Sequence, residues 1–326
     1  MEETIFQHRT DFTALHEAVY GIRQQIGKVI VGQHEMIDLL IAGLLTHGHV
    51  LIEGVPGVAK TLTAKLLARC IDADFSRLQF TPDIMPADVV GTSVFNPEKR
   101  EFEYKRGPVF GNLVLIDEIN RAPAKTQAAL FEVMEERQIT NDGITHPLPA
   151  PFMVVATQNP IEQEGTYRLP EAQLDRFLFK IEVKYPSLTE EVVLLQAMHQ
   201  HNSVADLTQL IQQVVTATQI IEYQALVRKV HIEDKLLHFI AALIHETRNN
   251  ASLYLGASPR ASLAVMNCAK ATAAMAGRDF VTPDDIVNML PHILRHRIVL
   301  TPEREMEGIT TDEVIAQIVK AVEVPR

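Results

Sequence analysis

The run Gly54-Val55-Pro56-Gly57-Val58-Ala59-Lys60-Thr61 narrows the folds open to this chain more than any other feature. It follows His49-Val50-Leu51-Ile52-Glu53, which reads as a strand, and opens residues 60–70, where apolar positions recur at helical spacing. A strand, a glycine-bearing loop and a helix in that order are the context a phosphate-binding loop requires. Small residues let successive amides curl around phosphate oxygens, and the positive end of the helix faces the anion. Lys60 is placed to reach the β- and γ-phosphates, and the Thr61 hydroxyl to ligate Mg2+. The candidate nucleotide contacts are Gly54, Val55, Pro56, Gly57, Val58, Ala59, Lys60, Thr61 and Leu62. Ala59 stands where glycine is usual before the lysine, which is acceptable if its φ is negative.

A second motif lies 57 residues beyond Lys60, where Leu113-Val114-Leu115-Ile116-Asp117-Glu118 forms an apolar strand ending in two carboxylates. Side chains alternate along a strand, so the two project differently. Asp117 can hold Mg2+ and its water while Glu118 polarises the attacking water. A third strand, Phe152 to Thr157, delivers Gln158-Asn159-Pro160. Asn159 then sits at a strand's carboxyl end, where open α/β sheets bind ligands, placed to orient water or sense the γ-phosphate.

Two arginines follow. Arg176, in Leu169-Pro170-Glu171-Ala172-Gln173-Leu174-Asp175-Arg176-Phe177, reads on local grounds as a cation closing a helix. Arg260 follows Ser258, a good N-cap, and Pro259, a good first helical residue. A cation in a first turn opposes the helix dipole, and an approaching phosphate would resolve that conflict.

The rest of the chain has two textures. Up to about Tyr185, apolar strands alternate with helical stretches, implying a parallel sheet covered on both faces. Beyond Pro186, Ser187 and Glu190 form a capping box and helices take over, including 236–247, 261–276 and one capped by Thr282-Pro283-Asp284-Asp285. The expected fold is α/β: a parallel αβα sheet domain over residues 1–186, then an all-α lid over 187–326. Two hairpins interrupt the first part, near 92–106 around Asn96-Pro97 and near 138–146 around the turn signal Asp142-Gly143. In isolation each reads as a surface loop.

Composition excludes other classes. The chain has 326 residues, 47% hydrophobic and 22% charged, as a globular protein has. No apolar run approaches the ~18 residues a membrane span needs. The polar, acidic N-terminus is unlike a signal peptide, and Cys70 and Cys268 read as buried thiols in a reducing cytoplasm. With 30 Lys and Arg against 41 Asp and Glu, the net charge of −11 argues against a general nucleic-acid binder.

Taken together, these motifs resemble those of the MoxR family of AAA+ ATPases. The resemblance runs over almost the whole sequence and adds Val31-Gly32-Gln33, Gln79-Phe80-Thr81-Pro82-Asp83, Pro86-Ala87-Asp88 and Asp117-Glu118-Ile119-Asn120-Arg121-Ala122. It implies ATP and Mg2+ as cofactors, and MoxR-like loops commonly carry Ala-Lys-Thr. Val31, Gly32 and Gln33, with Ile30, would border the adenine. Asn159 matches sensor 1, Arg176 the arginine finger and Arg260 sensor 2, acting in cis or in trans. The two hairpins match the family's helix-2 insert and pre-sensor-1 hairpin. A finger acts on a neighbour's ATP, so a ring, typically a hexamer, is implied.

The function this implies is ATP-driven, chaperone-like remodelling, maturation or activation of partner proteins. Such ATPases often work with a protein carrying a von Willebrand factor A domain. A metal-chelatase motor, a nucleic-acid translocase and a non-hydrolysing nucleotide-gated scaffold compete with it. The translocase reading is weakened because 98–106 is charge-mixed and the second hairpin offers no Lys or Arg. Pairs such as His199/His201 and His292/His296 lack a third ligand in a recognisable pattern and read as ordinary histidines.

Overall fold

The computed structural model describes residues 10–160, 166–200 and 204–325. Five strands form one parallel sheet: β1 Val50–Gly54, β2 Phe75–Gln79, β3 Leu113–Asp117, β4 Met153–Gln158 and β5 Phe179–Val183. Their spatial order is β2-β3-β4-β1-β5, with β1 between β4 and β5. Every residue of β3 is buried, which explains its unbroken apolar run: helices cover both faces of the sheet. Because the pairings are parallel, with Val50 opposite Val155 and Leu113 opposite Met153, the carboxyl ends of β1, β3 and β4 open along one edge. The three motifs therefore emerge together.

The core on one face of the sheet gathers Val114, Ile116 and Val154 with Leu130, Phe131 and Phe177. His49 adds a buried polar tie. Its Nδ1 accepts the Val154 amide at 2.9 Å, and its Nε2 lies 3.0 Å from the Met134 carbonyl. Those partners assign the proton to Nε2 and keep the ring neutral. Burial, reinforced by nearby Arg137, pushes its pKa down to about 3.

Both hairpins are present, pairing Gly91–Asn96 with Glu101–Arg106 and Gln138–Asn141 with Ile144–Pro147. Asp142 and Gly143 have φ of 49° and 78°, the two positive values a type I′ turn needs. The hairpins touch each other. Asn141 Nδ2 donates to Ser93 Oγ at 2.7 Å, Ser93 Oγ donates to Asp142 Oδ2 at 2.5 Å, and the Tyr104 and His146 rings stack 4.6 Å apart.

The chain forms two compact units, one of Gly21–Ile221 and one of Glu222–Arg326 with Met1–Tyr20. This division differs from the boundary expected at residue 186. The Ser187–Glu190 capping box is there, with the Ser187 amide donating to Glu190 Oε2 at 2.7 Å. It starts the helix Leu188–Gln200, yet the stretch up to 221 stays with the sheet. Arg69 Nη1 donates to the Thr208 carbonyl at 2.8 Å, and the Val214 amide to the Cys70 carbonyl at 2.8 Å. A cap marks where a helix begins and says nothing about which core the helix joins.

The second unit is built from Asp234–Asn249, Pro259–Met275, Pro283–Leu294 and Thr311–Ala321, with one short ladder between Leu253–Leu255 and Val299–Leu300. Ser258 and Thr282 occupy the expected N-cap positions, and Asp285 returns to the Thr282 amide at 2.8 Å. Cys268 lies buried on the Ala-rich helix face, and Cys70 is buried in the first unit. Among the described residues, no helix is long and apolar enough to cross a membrane.

Candidate functional site

The helix Lys60–Cys70 begins directly after the loop, and its N-cap, Ala59, has no side chain to satisfy the first-turn amides. Those amides and the helix dipole form a site for an anion. Ala59 has φ 62° and ψ 20°, so the condition under which alanine fits there without strain, a negative φ, is not met. The chain leaves β1 and enters a helix within a few residues, and the left-handed turn at Ala59 completes that reversal. Alanine there carries a cost of about 1–2 kcal/mol that glycine would not. At Gly57, φ is 91° and an added Cβ would meet nothing within 4 Å, so its backbone angle, not space, calls for glycine.

Lys60 Nζ donates to the Gly54 carbonyl and lies 3.5 Å from the Gln158 carbonyl, spanning the ends of β1 and β4. Burial lowers its pKa, while Asp117, Glu118 and Glu53 oppose the shift.

Asp117 is buried, and its Oδ1 accepts the hydroxyls of Thr61 and Thr157, each at 3.2 Å. Its Oδ2 faces Arg77 Nε at 2.6 Å. Glu118 has φ 57° and ψ 53°, a left-handed conformation that turns it away from Asp117. Gln79 Nε2 donates to Glu118 Oε2 at 2.9 Å, and Arg121 Nε forms an ion pair with the same oxygen at 2.8 Å. Thr157 Oγ1 also accepts the Glu118 amide at 3.1 Å, so one hydroxyl orients both carboxylate residues.

A cleft of about 670 Å³ gathers these groups, within the usual size of small-molecule sites. Its polar wall is Lys60, Thr61, Arg77, Gln79, Asp117, Glu118, Thr157 and Asn159; Pro56 to Ala59 line the loop side. Val29, Ile30, Val31, Leu62, Leu194 and Leu207 supply an apolar wall, with Gln33, Pro186 and Glu190 beside them. This division fits a nucleotide: open amides for phosphates, an apolar wall for a base, and a hydroxyl–carboxylate pair of the kind Mg2+ takes.

Of the expected contacts, Gly32, Gly54 and Val55 do not line this cleft. Gly32, at φ 83°, borders an adjoining hollow of about 210 Å³ with Gln33 and Glu190. Gly54 serves through its carbonyl, on Lys60. Arg176 also lies outside the lining; its Nη1 donates to the Phe131 carbonyl at 3.0 Å. Arg260 is in the first turn of Pro259–Met275, in the second compact unit. Sequence reasoning missed Arg77, Gln79 and Thr157 as site residues. Thr157 was within reach, as a hydroxyl two residues before Asn159, whereas Arg77 and Gln79 enter through strand pairing. Among the described residues no three His, Cys, Asp or Glu side chains gather as a metal cluster, and His201 lies outside the described residues.

Known proteins carry the same organisation. Residues 49–179 match the model of the ATPase family associated with various cellular activities (AAA), and residues 245–318 match the AAA lid domain. The sheet order, the loop and these matches define the class, an AAA-type ATPase fold with its lid. The chain is 46% identical over 311 residues to the uncharacterized protein YeaC of Bacillus subtilis, covering 95% of this chain and 96% of that one. It is 42% identical over 321 residues to Chaperone MoxR1 of Mycobacterium tuberculosis, covering 96% of this chain and 82% of the relative. A crystal structure of a candidate ATPase from Cytophaga hutchinsonii superposes with a TM-score of 0.88 at 42% identity, over 96% of this chain and 97% of the other. The chain belongs to the MoxR family of AAA+ ATPases.

Proposed function

We propose that this chain binds ATP with Mg2+ in the cleft, hydrolyses it to ADP and phosphate, and uses the turnover to remodel, mature or activate partner proteins. The observation that carries the reading is the 3.2 Å contact between Thr61 Oγ1 and Asp117 Oδ1, which joins the loop to the carboxyl end of β3 beside Lys60. Thr61 and Asp117 would hold the metal, which when bound neutralises charge on the β- and γ-phosphates. Lys60 and the first-turn amides bind phosphate. Glu118 polarises the attacking water and Asn159 orients it. Arg176 and Arg260 supply further positive charge, Arg176 to the site of a neighbouring copy in a ring, typically a hexamer.

The relative named Chaperone MoxR1 supports a chaperone-like role. Protein clients and a partner carrying a von Willebrand factor A domain are the associates this proposal adds to it. The work is expected in the cytoplasm.

The test is phosphate release and nucleotide retention by the purified chain and its Glu118→Gln variant. The variant should keep ATP and lose most turnover; unchanged turnover would remove Glu118 from the catalytic role. The ATP-loaded variant then serves as bait for the client.

A further inference from the structure

No sequence motif announces Arg77, yet it holds the buried carboxylate of the cleft. Parallel pairing sets Arg77 opposite Leu115 and Gln79 opposite Asp117. Residues 77 and 79 share one face of β2, so the first reaches Asp117 and the second Glu118. Both Asp117 oxygens therefore have protein partners. On Oδ1 these are two neutral hydroxyls, which can rotate; on Oδ2 the partner is a guanidinium at 2.6 Å.

A divalent cation entering between Thr61 and Asp117 would meet that guanidinium at short range, where water screens poorly and like charges repel strongly. One of the two must leave the carboxylate. The Arg77 side chain is 56% exposed and that of Asp117 only 9%. The guanidinium can swing into water at little cost, whereas the carboxylate cannot follow it.

We infer that Arg77 is a latch on metal loading: a resident counter-ion that neutralises Asp117 in the nucleotide-free chain and is exchanged for the divalent cation when the site fills. The inference rests on reading the cleft as an ATP–Mg2+ site. Arg77 is then a positioning residue, acting through Asp117. It sets how much metal is needed and leaves metal-free nucleotide binding alone, because nucleotide can enter without breaking the pair. A direct phosphate ligand at residue 77 would behave differently, strengthening nucleotide binding with or without metal.

The experiment titrates Mg2+ against a fixed amount of a fluorescent ATP analogue on the full chain, with parallel binding curves in EDTA. In Arg77→Gln the half-saturating Mg2+ concentration should fall about tenfold, the scale of losing a charge-assisted partner. Affinity in EDTA should stay at the wild-type value. Arg77→Lys, which keeps the charge, should restore most of the wild-type metal requirement. Arg77→Met, of similar stem length, repeats the measurement if glutamine disturbs β2. An unchanged or higher Mg2+ requirement in the neutral variants overturns the latch, as does an equal loss of affinity with and without metal. A wild-type chain that binds no analogue, or binds it indifferently to Mg2+, overturns the site reading instead, a result distinct from any that variants at Arg77 produce.

Discussion

Arg176 Nη1 donates to the Phe131 carbonyl at 3.0 Å and lies 3.3 Å from Glu135 Oε2, which tethers the guanidinium to the end of the Ala124–Glu136 helix. It lies outside the lining of its own chain's cleft. A cation so placed can serve turnover by reaching a neighbouring copy. Arg176→Ala should therefore lose hydrolysis by about 10³-fold or more while still binding ATP. Mixing it with Glu118→Gln should restore part of the activity, because some mixed neighbours pair an intact Glu118 with an intact Arg176. Mixed assemblies that form normally and regain nothing would reduce Arg176 to a helix tether.

At Ala59 a residue works against its own backbone. Its φ of 62° strains an L-residue, and glycine would relieve that strain. Glycine also gains entropy in the unfolded chain, which offsets part of the benefit. Ala59→Gly should raise the melting temperature of the nucleotide-free protein by about 1–2 °C, and Ala59→Val should lower it. A lower melting temperature for the glycine variant would mean that the left-handed turn is not the source of strain at this position.

The phosphate loop, the paired carboxylates and Asn159 were legible because each is local: a strand, its end and the polar residues that follow. Asp142-Gly143 was legible for the same reason, since the turn type demands those residues. Arg77 and Gln79 were not, because they reach the site through the register of β2 against β3, and nothing near residue 77 encodes that pairing. The affiliation of 187–221 was hidden as well. The Ser187–Glu190 cap is local, but the contacts of Thr208 and Val214 with Arg69 and Cys70 are not. The left-handed φ at Ala59 was not legible, because alanine ordinarily takes a negative φ and nothing in the local sequence marks the exception. The geometry of the loop overrides it.

The first hairpin depends on two glycines at its base. Gly91 has φ 104°, and a Cβ added there would lie 2.3 Å from the Lys105 carbonyl and 2.6 Å from the Gly107 nitrogen. Both obstacles are backbone, so no side chain can move aside. Gly91→Ala should open the base of the hairpin and destabilise the protein by about 3 kcal/mol or more, read by denaturant unfolding. Amide exchange should show protection lost first across 91–106. A variant as stable as the parent, with that protection intact, would mean the strands can part at their base without cost.

His49 makes stability depend on pH with a defined sign. Its pKa is about 3 in the folded chain against an ordinary 6.5, because burial disfavours the charged ring and nearby Arg137 repels it. Between those values the unfolded chain binds the extra proton, so stability rises with pH. The contribution is fully present above about pH 6.5 and is lost as pH falls toward 3. From pH 7 to pH 5 it amounts to about 2 kcal/mol. Other groups also titrate over this range, so the measurement is a difference. Urea unfolding of wild type and His49→Gln at both pH values should show the wild type losing about 2 kcal/mol more than the variant. Equal losses in the two proteins would mean that the ring accepts its proton without disturbing the tie between β4 and the Ala124–Glu136 helix.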